Sequence, residues 1–326
     1  MLKFFQNLTY IILQIILLPI SLIGGIYTFN KEKIVSKRLN ISYTAGQVIQ
    51  GQWLMHYFNI REDNNIIKFI KKFPAESHIG FYMIFSAAIL AYKVSGFIPK
   101  AMTKTILYEI SSYSFLFFRT NKFDQIIKKN INSVQQFVIL GAGFDLRSLK
   151  FKDKNLQIFE LDLKNTQDIK LATLKRSNIL NETIKYVSCD LNNEDWLDKL
   201  IVNGFQQDKK TLFLFESVSC YLDKEKVEKI LSKISQSCAK GSLIAQDFYS
   251  TNFLHGNEFR RVQKGKKLIE KFGERWRFTL DMTDNTNKEI DKLLINNHLS
   301  SKETYVCGER KTKSKKPFYA ISLSTV

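Results

Sequence analysis

The stretch Phe137-Val138-Ile139-Leu140-Gly141-Ala142-Gly143-Phe144-Asp145-Leu146-Arg147 decides the fold. Its four leading apolar residues, two of them β-branched, read as a buried strand. Gly141 and Gly143 lack a Cβ, so the backbone can turn sharply there and approach a ligand closely. Asp145 stands where a helix is expected to begin, and a helix start offers free N–H donors. Strand, glycine turn and helix start together make the first unit of a nucleotide-binding α/β domain. The third glycine of a dinucleotide fingerprint is missing, which counts against a dinucleotide-dependent oxidoreductase.

Downstream, the hydrophobic period alternates between that of strands and that of helices. Strands are expected at Leu156–Asp162, Ile184–Ser188, Thr211–Phe215 and Ser242–Asp247. Helices are expected at Asn165–Ile179, near Glu194–Val202, and at Lys224–Ser237, Asn257–Phe272 and Asn287–Asn297. Lys302–Cys307 and Pro317–Ser324 predict an antiparallel hairpin. Such alternation implies right-handed crossovers and an α/β fold with a doubly wound, mostly parallel, seven-stranded sheet.

Upstream, Phe4 to Asn30 carry no charged side chain, and most are Leu, Ile, Phe or Tyr. About 20 apolar residues cross a bilayer's hydrocarbon core, so this leader is long enough for a membrane helix. Pro19 and Gly24-Gly25 fit within one. Lys31, Lys33, Lys37 and Arg38 follow it and only Lys3 precedes it, which by the positive-inside rule puts the remainder on the cytoplasmic face of the membrane. No small-residue cleavage site marks it as a signal peptide. Residues 40–75 read as mostly helical, and Ile79 to Pro99 as an interfacial or re-entrant helix or a lid. Tyr108 to Asn130 then forms a helix leading into the glycine turn. The expected organisation is an apolar leader at 1–30, a helical cap at 31–104 and a ligand-binding domain at 105–326.

The 326 residues carry a formal charge of +18, with Lys spread along the chain and no long basic run before the tail at Lys311–Lys316. No motif for a flipped base accompanies that charge, so nucleic acid is not the expected partner. Cys189, Cys220, Cys238 and Cys307 are scattered, and neither they nor His56, His78, His255 and His298 show metal-ligand spacing. No metal is expected.

In an open α/β sheet, ligands bind beyond the carboxyl ends of the strands. Acidic residues fall at four such ends: Glu160 and Asp162, Asp190, Glu216, and Asp247. An acid at the end of the second strand, about 20 residues past the glycines, is placed to accept hydrogen bonds from ribose hydroxyls. Asp190 can receive an adenine amino group while Leu191 packs on the ring. No phosphate-cradling Lys-Ser/Thr pair follows the glycines, so the ligand is a nucleoside without phosphate. S-adenosylmethionine fits that description, its sulfonium cation suiting acidic walls.

At these residues the chain resembles the leucine carboxyl methyltransferase family of class I S-adenosylmethionine-dependent O-methyltransferases. The resemblance runs through Arg119-Thr120-x-x-Phe123-Asp124, the Phe137–Arg147 block, Phe159-Glu160-Leu161-Asp162-Leu163 with Lys170, and Asp190-Leu191 with Trp196. It continues through Glu216 with Tyr221-Leu222, Gly241-Ser242 to Asp247, and Gly273-Glu274-x-Trp276-Arg277-Phe278. The resemblance implies that Arg119 holds the cofactor's carboxylate, while Gly141, Ala142, Gly143 and Asp145 approach its methionine portion. It assigns Asp162 with Glu160 to ribose, Asp190 and Leu191 to adenine, and Glu216 to the wall near the amino group. The family's second basic residue is replaced here by Gln52, which donates a hydrogen bond but no charge.

The implied reaction is methyl transfer to an oxygen, chiefly a carboxylate of a small, lipid-like or membrane-presented acceptor. A hydroxyl acceptor would instead need a base, for which Glu216 or Asp247 is placed. Tyr221, Tyr249, Trp276 and the Ile79–Pro99 helix are expected to line the acceptor pocket. A membrane-tethered binder of the same cofactor without turnover is the rival reading, raised by Gln52.

Overall fold

The computed structural model describes residues 2–99, 102, 112–151, 155–256, 260–308 and 317–326. The chain divides into two compact units. One comprises residues 1–106, 110–122 and 169–180; the other comprises 107–109, 123–168 and 181–326.

The first unit is helical. Helix α1 (Leu2–Leu39) runs past the apolar leader through the charged residues Lys31 to Arg38, so the helix does not stop where the apolar stretch does. Pro19 lies inside it. Its buried positions are Gly24, Thr28, Glu32 and Ser36, one stripe at a spacing of four, which is one face of a helix. Helix α2 (Tyr43–Tyr57) begins at Ser42, whose hydroxyl accepts a hydrogen bond from the Ala45 amide at 3.1 Å, and is followed by α3 (Asn64–Ile70). Ser77 caps α4 (His78–Ile84) in the same way, through the Gly80 amide at 3.0 Å. A 70° bend separates α4 from α5 (Ser86–Ser95), which ends on Gly96 at φ +70°, the left-handed conformation suited to a helix end. Trp53 of α2 is fully buried amid Tyr57, Phe81, Tyr82 and Phe85, with ring centroids 5.1–6.2 Å away. Helix α6 (Ser112–Asn130) starts in this unit. A Cβ on Gly51 would stand 1.9 Å from Leu116 Cδ2, so α2 and α6 meet at a position only glycine permits.

The second unit is built on the expected seven-stranded sheet, with order β3-β2-β1-β4-β5-β7-β6. The strands are β1 (Gln136–Leu140), β2 (Gln157–Asp162), β3 (Lys185–Ser188), β4 (Thr211–Phe215), β5 (Leu243–Tyr249), β6 (Ser300–Cys307) and β7 (Tyr319–Thr325). β1 to β5 pair in parallel, while β7 inserts antiparallel between β5 and β6. The predicted hairpin thus exists, and its second strand is interior to the sheet. Along the chain between the strands lie α7 (Lys164–Arg176), which from residue 169 belongs to the first unit, and α8 (Trp196–Val202), α9 (Lys224–Ser237), α10 (Thr251–Leu254), α11 (Arg260–Glu270) and α12 (Thr286–Asn296).

Alternate strand residues face one apolar core. Val138, Leu140, Phe159, Leu161, Phe213, Phe215, Ile244 and Phe248 meet Trp196 and Leu200 of α8, Val227, Ile230 and Ile234 of α9, and Ile290 and Leu294 of α12. On α9 these residues recur every three or four positions, the stripe a helix needs to cover a sheet. β1, β4 and β5 are buried along their whole length, as central strands of a parallel sheet must be.

One expectation fails at the centre. No α-helix begins at Asp145; the chain makes a short 3-10 turn over Arg147–Phe151 instead. Arg147, Ser148 and Leu149 are buried in that turn, and their partners, described next, take the place of helical hydrogen bonding.

Candidate functional site

The strand order sets the residues at the sheet's carboxyl rim in a row. Reading β3-β2-β1-β4-β5, the ends carry Asp190, then Asp162, then the glycine turn, then Glu216, then Asp247. From β1 the chain winds toward β2 and β3 on one side and later returns to β4 and β5 on the other. The crevice where a doubly wound sheet takes its ligand therefore lies at the end of β1, where the glycines are.

The glycine turn is held from below. Gly141 has φ +66°, and a Cβ there would stand 2.5 Å from Val218 Cγ2. Gly143 has φ +48°, and its amide donates to Asp162 Oδ2 at 2.6 Å. Asp162 Oδ1 accepts from the Leu163 amide at 2.7 Å. The strand-end acid thus anchors the turn. Ala142, 3% exposed, donates its amide to Leu161 O at 2.8 Å, tying the turn to β2 a second time.

Arg147 organises the acids. It is 2% exposed; its Nε donates to Asp124 Oδ1 at 2.6 Å, and its Nη1 reaches Asp145 Oδ2 at 2.6 Å and Glu216 Oε2. Burial opposes the positive charge, but the carboxylates of Asp145, Glu216 and Asp124 outweigh it, so the guanidinium is held charged more firmly than usual. Asp145 and Glu216 are therefore ion-pair partners of one arginine, a role not read from the sequence. The only sequence signal was the Asp145-x-Arg147 pair itself.

Asp247 is fully buried and saturated. Its Oδ1 accepts from the Ser217 amide at 2.8 Å, and its Oδ2 from Ser217 Oγ at 3.1 Å and Tyr319 Oη at 2.8 Å. Ser217 sits at φ +55°, left-handed for a residue with a side chain, and its Oγ also meets Tyr249 Oη at 3.1 Å. These contacts fix the residue that follows Glu216. Ser217 and Tyr319 were not foreseen.

The other expected residues fall as follows. Glu160 is fully buried, with Ser148 Oγ donating to its Oε1, so it faces the interior of the unit rather than the rim. Its negative charge and burial both push the Tyr186 hydroxyl upward, burial the more strongly. Asp190 is half-buried, with Oδ1 accepting from the Asn192 amide and side chain, both at 2.9 Å. Leu191 is 7% exposed and belongs to the core beneath α8 and α9. Tyr221 ends a 3-10 turn over Ser219–Tyr221; next to it Cys220 O accepts the Arg277 amide at 2.7 Å, which brings the Trp276-Arg277-Phe278 segment alongside. Arg119 lies on α6 in the other unit, 6% exposed, its guanidinium carbon 6.0 Å from the Phe115 ring centroid. Gln52 is also in that unit, 1% exposed.

Residues 93–235, which include the glycine turn, Arg147 and all the rim acids but Asp247, match the model of the leucine carboxyl methyltransferase family. That stretch, under half of the chain, is similar to this family. A candidate S-adenosyl-L-methionine-dependent methyltransferase of Bacillus subtilis is 31% identical over 176 residues, covering 52% of this chain and 57% of that protein. One from Streptomyces avermitilis is 32% identical over 128 residues, covering 38% and 44%, and one from Parafrankia is 30% identical over 135, covering 40% and 43%. The chain spans about half the length of the curated relatives it matches. Among solved structures, a methyltransferase from Methanosarcina mazei overlaps with a TM-score of 0.42 at 11% identity, covering 61% of this chain and 96% of that one, too loosely to bear on function.

Proposed function

We propose that the chain is an S-adenosylmethionine-dependent O-methyltransferase acting on a carboxylate of a lipid-like or membrane-presented molecule. The observation that carries the acceptor class is the state of the two rim acids that could serve as bases. Glu216 is paired with Arg147, and Asp247 already accepts three hydrogen bonds. A hydroxyl acceptor needs its proton removed, whereas a carboxylate is ionised at neutral pH and needs no base.

The rim suits a phosphate-free nucleoside. A Cβ at position 141 would collide with Val218, so the turn packs as closely as it does because that residue has no side chain. Asp162 would accept from ribose hydroxyls, and Asp190 from the adenine amino group. Bound there, S-adenosylmethionine supplies an electrophilic methyl on a cationic sulfur. The Arg147 cluster holds Glu216 and Asp145 rigidly beside the turn, and Ser217 keeps the β4 end from moving. Rigid placement is the main contribution open to such a site, since orientation alone accounts for about 7–11 kcal/mol in well-aligned reactions.

The membrane part of the reading rests on α1, whose most apolar 18-residue window has mean hydropathy 2.1 and is 6% buried. Residues 4–30 would anchor the chain, with Lys31 to Arg38 at the cytoplasmic face.

The test is transfer of labelled methyl from S-adenosylmethionine by the full chain in vesicles supplemented with apolar carboxylic acids, followed by mild alkali. A methyl ester releases volatile methanol under alkali, whereas an ether or methylamine keeps its label. Base-labile label in the apolar fraction is expected. Base-stable label would overturn the carboxylate assignment, and bound but unconsumed cofactor would make the protein a binder.

A further inference from the structure

Resting on the reading of α1 as the membrane anchor, we propose that α1 does not cross the bilayer. It lies flat in the cytoplasmic leaflet, its bare apolar face sunk between anionic phospholipid headgroups and the upper acyl chains. The packing of the helical unit argues against a crossing. A Cβ on Gly80 would strike Thr28 Oγ1, one on Gly24 would strike Met83, and the Ser21 and Ser86 hydroxyls meet at 3.3 Å. Ser95 O accepts from Gln6 Nε2 at 2.7 Å, and the Phe97 and Tyr10 rings lie 5.2 Å apart. The bent pair α4–α5 thus follows α1 back to its first turns. α2 covers that pair in its turn: Trp53 packs on Phe81 and Tyr82, the Phe58 and Tyr92 rings lie 5.3 Å apart, and Asn59 Nδ2 donates to Tyr92 Oη at 3.1 Å. Asn59 therefore stands about one turn of helix from the level of Gln6. Were α1 to cross, the Arg61-Glu62-Asp63 segment and the exposed Lys68 of α3 would be drawn through the hydrocarbon with it. Charges there are expensive. With α1 flat, α2 and α3 stay in water and the chain stays on one side.

α1 leaves one side bare. Gly24, Thr28, Glu32 and Ser36 are buried, while Leu8, Ile15, Leu22 and Ile26, on the opposite side, are 42%, 70%, 56% and 63% exposed. These four recur at spacings of seven and four, one apolar strip about 27 Å long. Lys3, Asn7 and Gln14 are exposed too, and they share the border of the covered side. On a helix lying flat that border meets water; on a crossing helix Asn7 and Gln14 would face lipid tails. Charge selects the occupant. Glu32, the one acid of α1, is buried, so the exposed charges of the helix are Lys3, Lys33, Lys37 and Arg38, all cations. An apolar strip with cations at both ends fits the surface of an anionic leaflet, where such helices sink about 5–10 Å.

The experiment measures depth and sidedness in the full chain, in a Cys238→Ser background, since the other three native cysteines are buried. For depth, spin labels are placed singly through Leu8→Cys, Ile15→Cys and Ile26→Cys on the strip and Val202→Cys on α8, where Val202 is 87% exposed. The protein is reconstituted in phosphatidylcholine–phosphatidylglycerol vesicles, and collisions with oxygen and with a water-soluble nickel chelate are compared. For sidedness, Leu2→Cys is expressed in bacterial cells and intact spheroplasts are treated with a membrane-impermeant maleimide. Labels at 8, 15 and 26 are expected to lose nickel collisions to one common depth while 202 keeps them, and the cysteine at position 2 is expected to react only after lysis. A label at 15 deeper than those at 8 and 26, with position 2 reacting in intact spheroplasts, would mean a crossing helix; that overturns the proposal and leaves the anchor standing. Nickel access at 8, 15 and 26 equal to that at 202 would overturn both. Shielding of the strip from oxygen and nickel alike would mean that a second copy covers it, which also overturns the proposal.

Discussion

Replacing Arg147 with methionine is expected to destabilise the sheet unit by about 3–5 kcal/mol, the usual loss when one partner of a buried ion pair is removed. The size follows from burial. The guanidinium side chain is 3% exposed, and its partners Asp124, Asp145 and Glu216 are 26%, 14% and 10% exposed. Without the cation, three carboxylates lie within one small volume, and only Asp124 has appreciable contact with water. An exposed ion pair, by contrast, contributes about 0–1 kcal/mol. Arg147→Lys should recover part of the loss, because one ammonium cannot reproduce both the Nε and Nη1 contacts. Urea unfolding followed by circular dichroism and tryptophan fluorescence checks this; at a slope of about 2–3 kcal/mol per molar urea, the midpoint should fall by about 1–2 M. Adding Glu216→Gln to Arg147→Met should restore about 1–2 kcal/mol by removing one unpaired charge. A methionine variant within about 1 kcal/mol of the parent protein, or a double variant no more stable than the single, would refute the reasoning.

Gly141→Ala should cost about 1–3 kcal/mol in stability from the left-handed backbone and the displaced Val218, and should weaken S-adenosylmethionine binding about tenfold or more in calorimetry; parent-like affinity would refute the cradle. In the helical unit, Glu32 and Glu76 are 3% and 2% exposed, and Gln47 Nε2 donates to both oxygens of Glu32. Burial pushes the Glu32 carboxyl up to about 7, and burial together with the neighbouring Glu32 raises Glu76 well above the usual carboxylate range. The folded state therefore holds protons that the unfolded chain releases near pH 4.5, so stability is greatest below that pH and falls as pH rises toward and past about 7. Thermal midpoints of the parent protein should decline from pH 5 to pH 8, and Glu32→Gln should flatten the decline; an unchanged slope in that variant would refute it.

Much of the architecture was legible because it is periodic. The strand at Thr211–Phe215 and the helix at Lys224–Ser237 fall where the apolar pattern put them, since each repeats one local geometry. The glycine turn was legible because glycine, having no Cβ, takes up the left-handed φ values found there without steric cost. What the pattern could not carry were contacts between distant residues with no period linking them. Arg147 joins positions 124, 145 and 216, and Asp247 joins 217 and 319. The missing helix at Asp145 has the same origin, because the residues expected to start it are drawn into the Arg147 cluster. The charged end of α1 ran on as helix because Lys and Arg are good helix formers, so a change in polarity did not mark a change in backbone.

The place of β7 bears on how the protein can be made. β5 leaves the ribosome roughly seventy residues before the strand that covers its edge, an interval on the order of 4–14 s at ordinary translation rates. Throughout that time the edge of β5 that β7 will cover has its amide and carbonyl groups unpaired, the kind of edge that recruits neighbouring chains. That edge is closed only once Tyr319 to Thr325 have been made and paired with β5.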